Sequence, residues 1–207
     1  MQLGAILLSA SVILLPPPWH APAGAADPCD INGYPVDSNG VRKMKKASLS
    51  GCDLHGADLE NADLRKADLE GANLDDANLN GANLAGASLV GASLDATAFN
   101  DANLSKANFE DTVLSVTAFN GADLSRASFE RSTLSVVAFN DAILAKANLQ
   151  DTTLTTCGFG SADLTKATLE GATVTTSGFS SAVFDKTICP DGSRSDDVGD
   201  TCAGHGI

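Results

Sequence analysis

"GADLENADLRKADLEGANLDDANLN", residues 56–80, carries a Leu at every fifth position and an Ala two residues before each one. A period of five fits neither the 3.6 residues of a helical turn nor the alternation of a long strand, so the chain must turn a corner once per pentad. The pattern runs on in both directions without insertion. From Leu49 to Phe184 every fifth residue is Leu, Phe or, once, Val, which makes 28 consecutive pentads. The slot two residues earlier holds a small side chain, usually Ala, elsewhere Thr, Ser or Cys, and once Val137. Four pentads close one square coil, with the large and the small residue pointing inward and the other three facing water. Residues one coil apart then stack, so Phe99, Phe119, Phe139, Phe159 and Phe179 form a ladder on one wall, with Phe109 and Phe129 on the facing wall. An outward residue such as Asn140 is expected to tolerate Ala within about 0.5 kcal/mol. Seven coils at an inter-strand spacing of ~4.8 Å give a rod ~34 Å long.

The A-(D/N)-L-x-x consensus over residues 47–186 resembles the pentapeptide-repeat family. The resemblance implies an all-β fold, a right-handed quadrilateral β-helix; spacing alone does not fix the hand. The chain divides into an apolar leader at 1–26, an N-terminal cap at 27–46, the repeat at 47–186 and a C-terminal tail at 187–207. The first 26 residues contain no Asp, Glu, Lys or Arg and end in "APAGAA". This reads as a signal peptide cut after Ala25 or Ala26, because the apolar run is shorter than the ~20 residues that span a bilayer. An uncleaved anchor is the competing reading. A lipoprotein built on Cys29 fits less well, since Asp27 and Pro28 stand where small residues belong. The mature protein is thus expected to be exported, to a periplasm or a thylakoid lumen, with no membrane span. The tail "CPDGSRSDDVGDTCAGH" also looks like that of exported members of the family.

Solenoids expose unpaired edges at both ends and must cap them. At the front, Ser38 or Asn39 could start a short capping helix that carries Arg42, Lys43, Lys45 and Lys46. A basic nucleic-acid site is the alternative. At the back, Cys189 and Cys202 bracket a polar loop that a disulfide would close, contributing ~3 kcal/mol by restricting the unfolded chain. Cys52 and Cys157 fall in the inward small-residue slot and read as buried thiols. Cys29 has Cys52 as its only plausible partner.

Catalysis finds little support. Outside the leader the only histidines are His55 and His205, at opposite ends of the rod, from which no Ser, His and acid constellation is expected. Neither a cofactor nor a metal site is expected; Asp191, Asp196, Asp197 and Asp200 match no standard calcium loop and read as a solvated turn. Some family members are rods that mimic DNA and bind topoisomerases. Residues 47–186 carry 19 acidic and 8 basic side chains, a net charge of −11. Duplex DNA of that length carries ~20 negative charges, so mimicry would be half-strength. Lys66, Lys106, Arg126, Lys146, Lys166 and Lys186 recur at one-coil spacing, with Glu70, Glu110, Glu130 and Glu170 following in a second column. The two columns are expected to form a ladder of exposed ion pairs.

One surface contrasts with the rest. Val113, Val116, Val136, Ala98, Ala118 and Ala138, followed by Thr153, Thr155, Thr173 and Thr175, make an uncharged, β-branched strip in the C-terminal half. The matching N-terminal positions are polar, among them Asp53, His55, Asn73, Asp75 and Asp76. Strand propensity alone favours Thr and Val, whereas a contiguous apolar strip marks an association site. Ice binding through the Thr-x-Thr pairs rests on two rungs only. The sequence therefore reads as a non-enzymatic rod that binds a protein partner or a second copy of itself. The alternatives are a topoisomerase-binding DNA mimic and a scaffold that contacts an enzyme or a carbohydrate.

Overall fold

The computed structural model describes residues 29–207; the leader and its cleavage site lie outside the described residues. The chain winds as a right-handed quadrilateral β-helix. Each coil pairs in parallel with the next: Leu59 donates its N–H to the Asn78 carbonyl at 2.8 Å, and Asn78 donates back to the Ala57 carbonyl at 2.9 Å. Every corner has one residue at positive φ, the third of a four-residue turn at most corners and the bend after the strand residue at Val116, Val136, Thr156 and Thr176. In the pentad of Leu59, Asn61 lies at φ 56° and Ala62 N–H reaches the Leu59 carbonyl at 3.0 Å, the form of a type II turn.

The four walls are set by the large residues in chain order. The first wall carries Leu49 to Leu169, the second Leu54 to Val174, the third Leu59 to Phe179 and the fourth Leu64 to Phe184. Phe99, Phe119, Phe139 and Phe159 are fully buried, and their rings stack face to face with centroids 5.0, 5.2 and 4.8 Å apart. Phe179 continues the stack at 4.6 Å and is only partly buried. Phe109 and Phe129 stack at 4.7 Å on the first wall and meet the ladder edge-on. Parallel rings one coil apart and perpendicular rings across the shaft both suit the aromatic quadrupole, and each pair adds ~0.5–1.5 kcal/mol beyond area burial.

The inward frame extends one rung past each end of the Leu49–Phe184 run. Met44 is fully buried beneath Leu64, with Lys46 at positive φ behind it, and Cys189 is fully buried above Leu169. On the second wall alone, among the described residues, ladder pairing extends over consecutive residues. There β1 (Val113–Ser115), β2 (Thr133–Ser135), β3 (Thr153–Thr155) and β4 (Thr173–Thr175) form a parallel sheet in the order β1-β2-β3-β4.

The N-terminal cap differs from expectation. Residues 38–46 form no helix: Asp37 accepts the N–H groups of Asn39 and Val41 at 2.9 and 3.0 Å, and Gly40 turns at φ 80° so that Val36 pairs antiparallel with Arg42. An Asp that collects the following backbone donors favours a turn over a helix here. The helical part is a single 3-10 turn at Ile31–Gly33. Cys29 is joined to Cys52, stapling this cap to the first coil. Cys52 therefore occupies the inward slot as half of a disulfide and not as a free thiol. The C-terminal cap mirrors the arrangement, with Ile188 paired antiparallel to Arg194, a 3-10 turn at Ser195–Asp197 and a Cys189–Cys202 disulfide.

Asn140 is not an indifferent surface residue. Its side chain tops a ladder in which Asn100, Asn120 and Asn140 each donate to the asparagine one coil below at 3.0 Å. Its own Oδ1 accepts the Gly160 N–H at 3.0 Å. Phe139→Ala should lower stability by ~3–5 kcal/mol in chemical denaturation, and Asn140→Ala by about 0.5–1.5 kcal/mol. Equal losses at the two sites would contradict this inward and outward assignment.

Candidate protein-binding surface

Strand register aligns Val113 with Thr133, Thr153 and Thr173, and Ser115 with Ser135, Thr155 and Thr175. All eight side chains point outward, and together they make a flat face free of charge. Along the corner that leads to the third wall stand Val116, Val136, Thr156 and Thr176, all exposed. Val113, Val116 and Val136 are 64%, 57% and 51% exposed. Ala98, Ala118 and Ala138 lie around that corner on the third wall, half-buried and paired in one ladder. The sequence thus distributes its strip over a sheet face, a corner and the edge of the next wall.

The corner residues are in an unusual backbone state. Val116, Val136, Thr156 and Thr176 sit at φ 53°, 58°, 57° and 52°. A β-branched side chain in the left-handed region is a true outlier, because its second Cβ substituent crowds the backbone. At the same slot the next corner, between the third and fourth walls, uses Asn61, Gly81, Asp101, Gly121 and Asp141, residues that tolerate this conformation. Beneath the strained corner the inward slots hold Thr97, Thr117, Cys157 and Ser177 in place of Ala. Their hydroxyls and thiol reach carbonyls of the coil below: Thr97 to Leu74 at 2.9 Å, Thr117 to Leu94 at 2.7 Å, Cys157 to Leu134 at 3.6 Å and Ser177 to Leu154 at 3.4 Å. Polar fillers thereby satisfy four carbonyls of this corner from within the shaft, whereas the slot behind Val136 holds the apolar Val137. Cys157 is the free thiol among the described residues, and burial pushes its pKa up.

A shallow groove of about 520 Å³ marks where this face meets the acidic half, lined by Asp75, Ser93, Asp95, Asp111, Val113 and Ser115. Asp75 is held there by the Ser93 hydroxyl at 2.7 Å and the Asp95 N–H at 2.9 Å. Asp111 is clasped by Arg131 at 2.9 and 3.0 Å, which lowers the carboxyl pKa and raises that of the guanidinium.

Arg131 also explains why the expected Lys–Glu ladder does not form. Glu130 accepts from Arg131 and from Asn148, the latter at 3.0 Å, and Glu110 accepts from the Ser128 hydroxyl at 3.0 Å. These carboxylates are turned up the first wall toward the next coil. Among the described residues no Lys or Arg of the recurrent column pairs with a carboxylate.

The C-terminal cap does assemble a Ser, a His and an acid, a grouping that sequence separation hid. His205 Nδ1 lies 2.8 Å from Asp191 Oδ2, and the Ser193 hydroxyl donates to Asp191 Oδ1 at 2.6 Å. The carboxylate is the central member, so the imidazole does not contact the hydroxyl and cannot take its proton. Asp191 is pulled down to about 2 by the Ser193 hydroxyl and N–H, with His205 adding to them. The arrangement fastens the tail. Asp196 is taken by Arg194 at 3.0 Å, and among the described residues no three acidic, His or Cys side chains converge as metal ligands.

The chain belongs to the pentapeptide-repeat family: eight copies of the repeat match over residues 43–81, 77–115, 99–135, 122–159 and 137–171. Among solved structures it is similar to HetL, a pentapeptide repeat protein involved in heterocyst differentiation regulation from the cyanobacterium Nostoc sp. strain PCC 7120. The two are 32% identical over 73% of this chain and 74% of HetL, with a TM-score of 0.62. It is also similar in fold to QnrB1, a plasmid-mediated fluoroquinolone resistance protein, at 21% identity, 72% and 76% coverage and a TM-score of 0.57. No curated protein matches.

The covalent arrangement is directly checkable. Alkylation of denatured, non-reduced protein should label Cys157 and leave Cys29, Cys52, Cys189 and Cys202 unmodified. Labelling of either terminal pair would mean that its cap is held by other forces.

Proposed function

We propose that this protein is an exported, non-enzymatic interaction rod that engages a protein partner, or a second copy of itself, through β1–β4 and the adjoining Val116–Val136 corner. The observation that carries the reading is the double anomaly of Val116 and Val136. Both are exposed apolar residues, and both hold a backbone conformation that their side chains disfavour. Strand propensity does not account for them, since a corner residue at positive φ is not in a strand conformation. Local strain retained on a surface points to use of that surface. Desolvating charge opposes association, and this face carries none.

Two disulfides support export, since such bonds persist in oxidising compartments, a periplasm or a thylakoid lumen among them. Among the described residues no helix is long and apolar enough to cross a membrane. Mass spectrometry of protein from its native host should place the mature N-terminus at Ala26 or Asp27, and a full-length form as the only species would overturn export.

Asn tolerates the left-handed region better than Val does. Val116→Asn with Val136→Asn should therefore leave the melting temperature unchanged or higher, while abolishing the association seen for wild type by sedimentation and pull-down in native extract. Identical profiles for the two proteins would reduce the strip to strand-forming surface.

A further inference from the structure

The corner diagonally opposite the strained strip, between the fourth and first walls, bears a column of cations. Lys46, Lys66, Lys106, Arg126, Lys146, Lys166 and Lys186 occupy the third position of successive turns, with Gly86 the one interruption. All seven are exposed. They stand one coil apart, ~4.8 Å per rung, and five follow one another without a gap from Lys106 to Lys186. Of the expected partners, Glu110 is engaged by Ser128, Glu130 by Arg131 and Asn148, and Glu170 by Gln150. Among the described residues no member of the column is in an ion pair.

Neither the backbone nor the charge balance asks for this. Every member sits at φ between 55° and 64°, where Gly, Asn or Asp is the easier choice and where two other corners use those residues. Like charges at this spacing repel one another. The chain as a whole carries a formal net charge of −13, yet of the shaft's cations only Arg65, beside Lys66, and Arg131 lie off this corner.

We infer that this corner binds a linear acidic polysaccharide, a polyuronate with one carboxylate per sugar ring, laid along the rod axis. The cations recur at a spacing comparable to the length of one sugar ring, and the long Lys and Arg side chains can reach carboxylates on either side of a chain laid along them. The site is one residue wide and flanked by Asp123 and Asp163 on one wall and Glu110, Glu130 and Glu170 at the far end of the other, with Asp185 beside Lys186 in the last turn. A duplex or a membrane surface is broad enough to press its own negative groups against those flanks, whereas a single narrow chain is not. Single-stranded nucleic acid ordinarily stacks its bases on exposed aromatic rings, and among the described residues the aromatics are buried or half-buried.

The test uses the mature full-length protein and polygalacturonate fragments long enough to span the column, at low and at physiological salt. Wild type should bind, with affinity falling steeply as salt rises. K106N/R126N/K146N/K166N keeps residues that accept the left-handed turn and should weaken binding roughly tenfold or more. A control that removes two cations off the column, Arg131→Gln and Arg194→Gln, should bind like wild type. In unmutated protein, polygalacturonate should protect Lys106, Lys146 and Lys166 from acetylation where a neutral glucan of the same length does not, a readout independent of how the variants fold. Failure of wild type to bind, equal loss in the control, or absence of that protection pattern overturns the inference. So does tighter binding of duplex DNA, single-stranded DNA or anionic vesicles than of polygalacturonate.

Discussion

Every corner of the rod depends on one residue held at positive φ. From Gly51 to Lys186 the third residue of each turn is left-handed without exception. That conformation reverses the chain tightly enough for the next inward residue to land on the adjacent wall, and it sets the period of five. For most residues other than Gly, Asn and Asp it carries a penalty of ~1–2 kcal/mol. The penalty is tolerated because both neighbours of the turn are locked into parallel hydrogen bonding with the coils above and below, and because stacked Leu and Phe fill the shaft. A turn residue in such a rod cannot relax alone; moving it would break ladders on two walls.

This explains what was legible in the sequence. Periodicity fixes the square coil, the inward positions and the one-coil stacking of Phe99 to Phe179, since each follows from spacing alone. Features that depend on where side chains turn were not legible. Spacing placed Lys106 and Glu110 in neighbouring columns, but Ser128 draws Glu110 up its own wall, and no period encodes that. Asn140 likewise read as a free surface residue because the Asn80, Asn100 and Asn120 column was not read as a hydrogen-bonded ladder. Cys29 has one plausible partner in the sequence, Cys52, but Cys52 shares the inward slot with ordinary Ala and reads equally as a buried thiol. Its pairing depends on how the segment before the repeat crosses the open end, where no coil lies below to exclude it.

The two ends solve one problem with similar parts. Each brings an antiparallel bridge, a 3-10 turn and a disulfide to the terminal coil, and in each disulfide one sulfur comes from an inward slot of the shaft. The bond thus anchors each cap to the most rigid part of the molecule. At the C-terminal end Ser195, fully buried, donates to the Phe184 carbonyl and accepts the Thr187 N–H, so backbone groups left by the last coil are met inside the cap. Polar termination of this kind removes an edge onto which another chain could add strands, and it confines recognition to the sides of the rod.

On those sides the four corners are not equivalent. Two of them are built from Gly, Asn, Asp and Ser, apart from Arg131, and so suit the left-handed backbone. Their side chains also serve the neighbouring coil: Asn61 Oδ1 and Asp101 Oδ1 occupy the space that a Cβ on Gly81 and Gly121 would need, 2.4 Å away in both cases. From Asn61 to Asp141 a larger residue and a glycine therefore alternate for packing reasons. The other two corners give up this economy in favour of side chains with an outward reach, uncharged and β-branched from Val116 to Thr176 on one, cationic on the other. The same backbone slot is thus filled by local stability on one diagonal and against it on the other. A rod whose walls are fixed by its core can vary only its outward positions, and here the departures from the easiest choice concentrate on opposite edges.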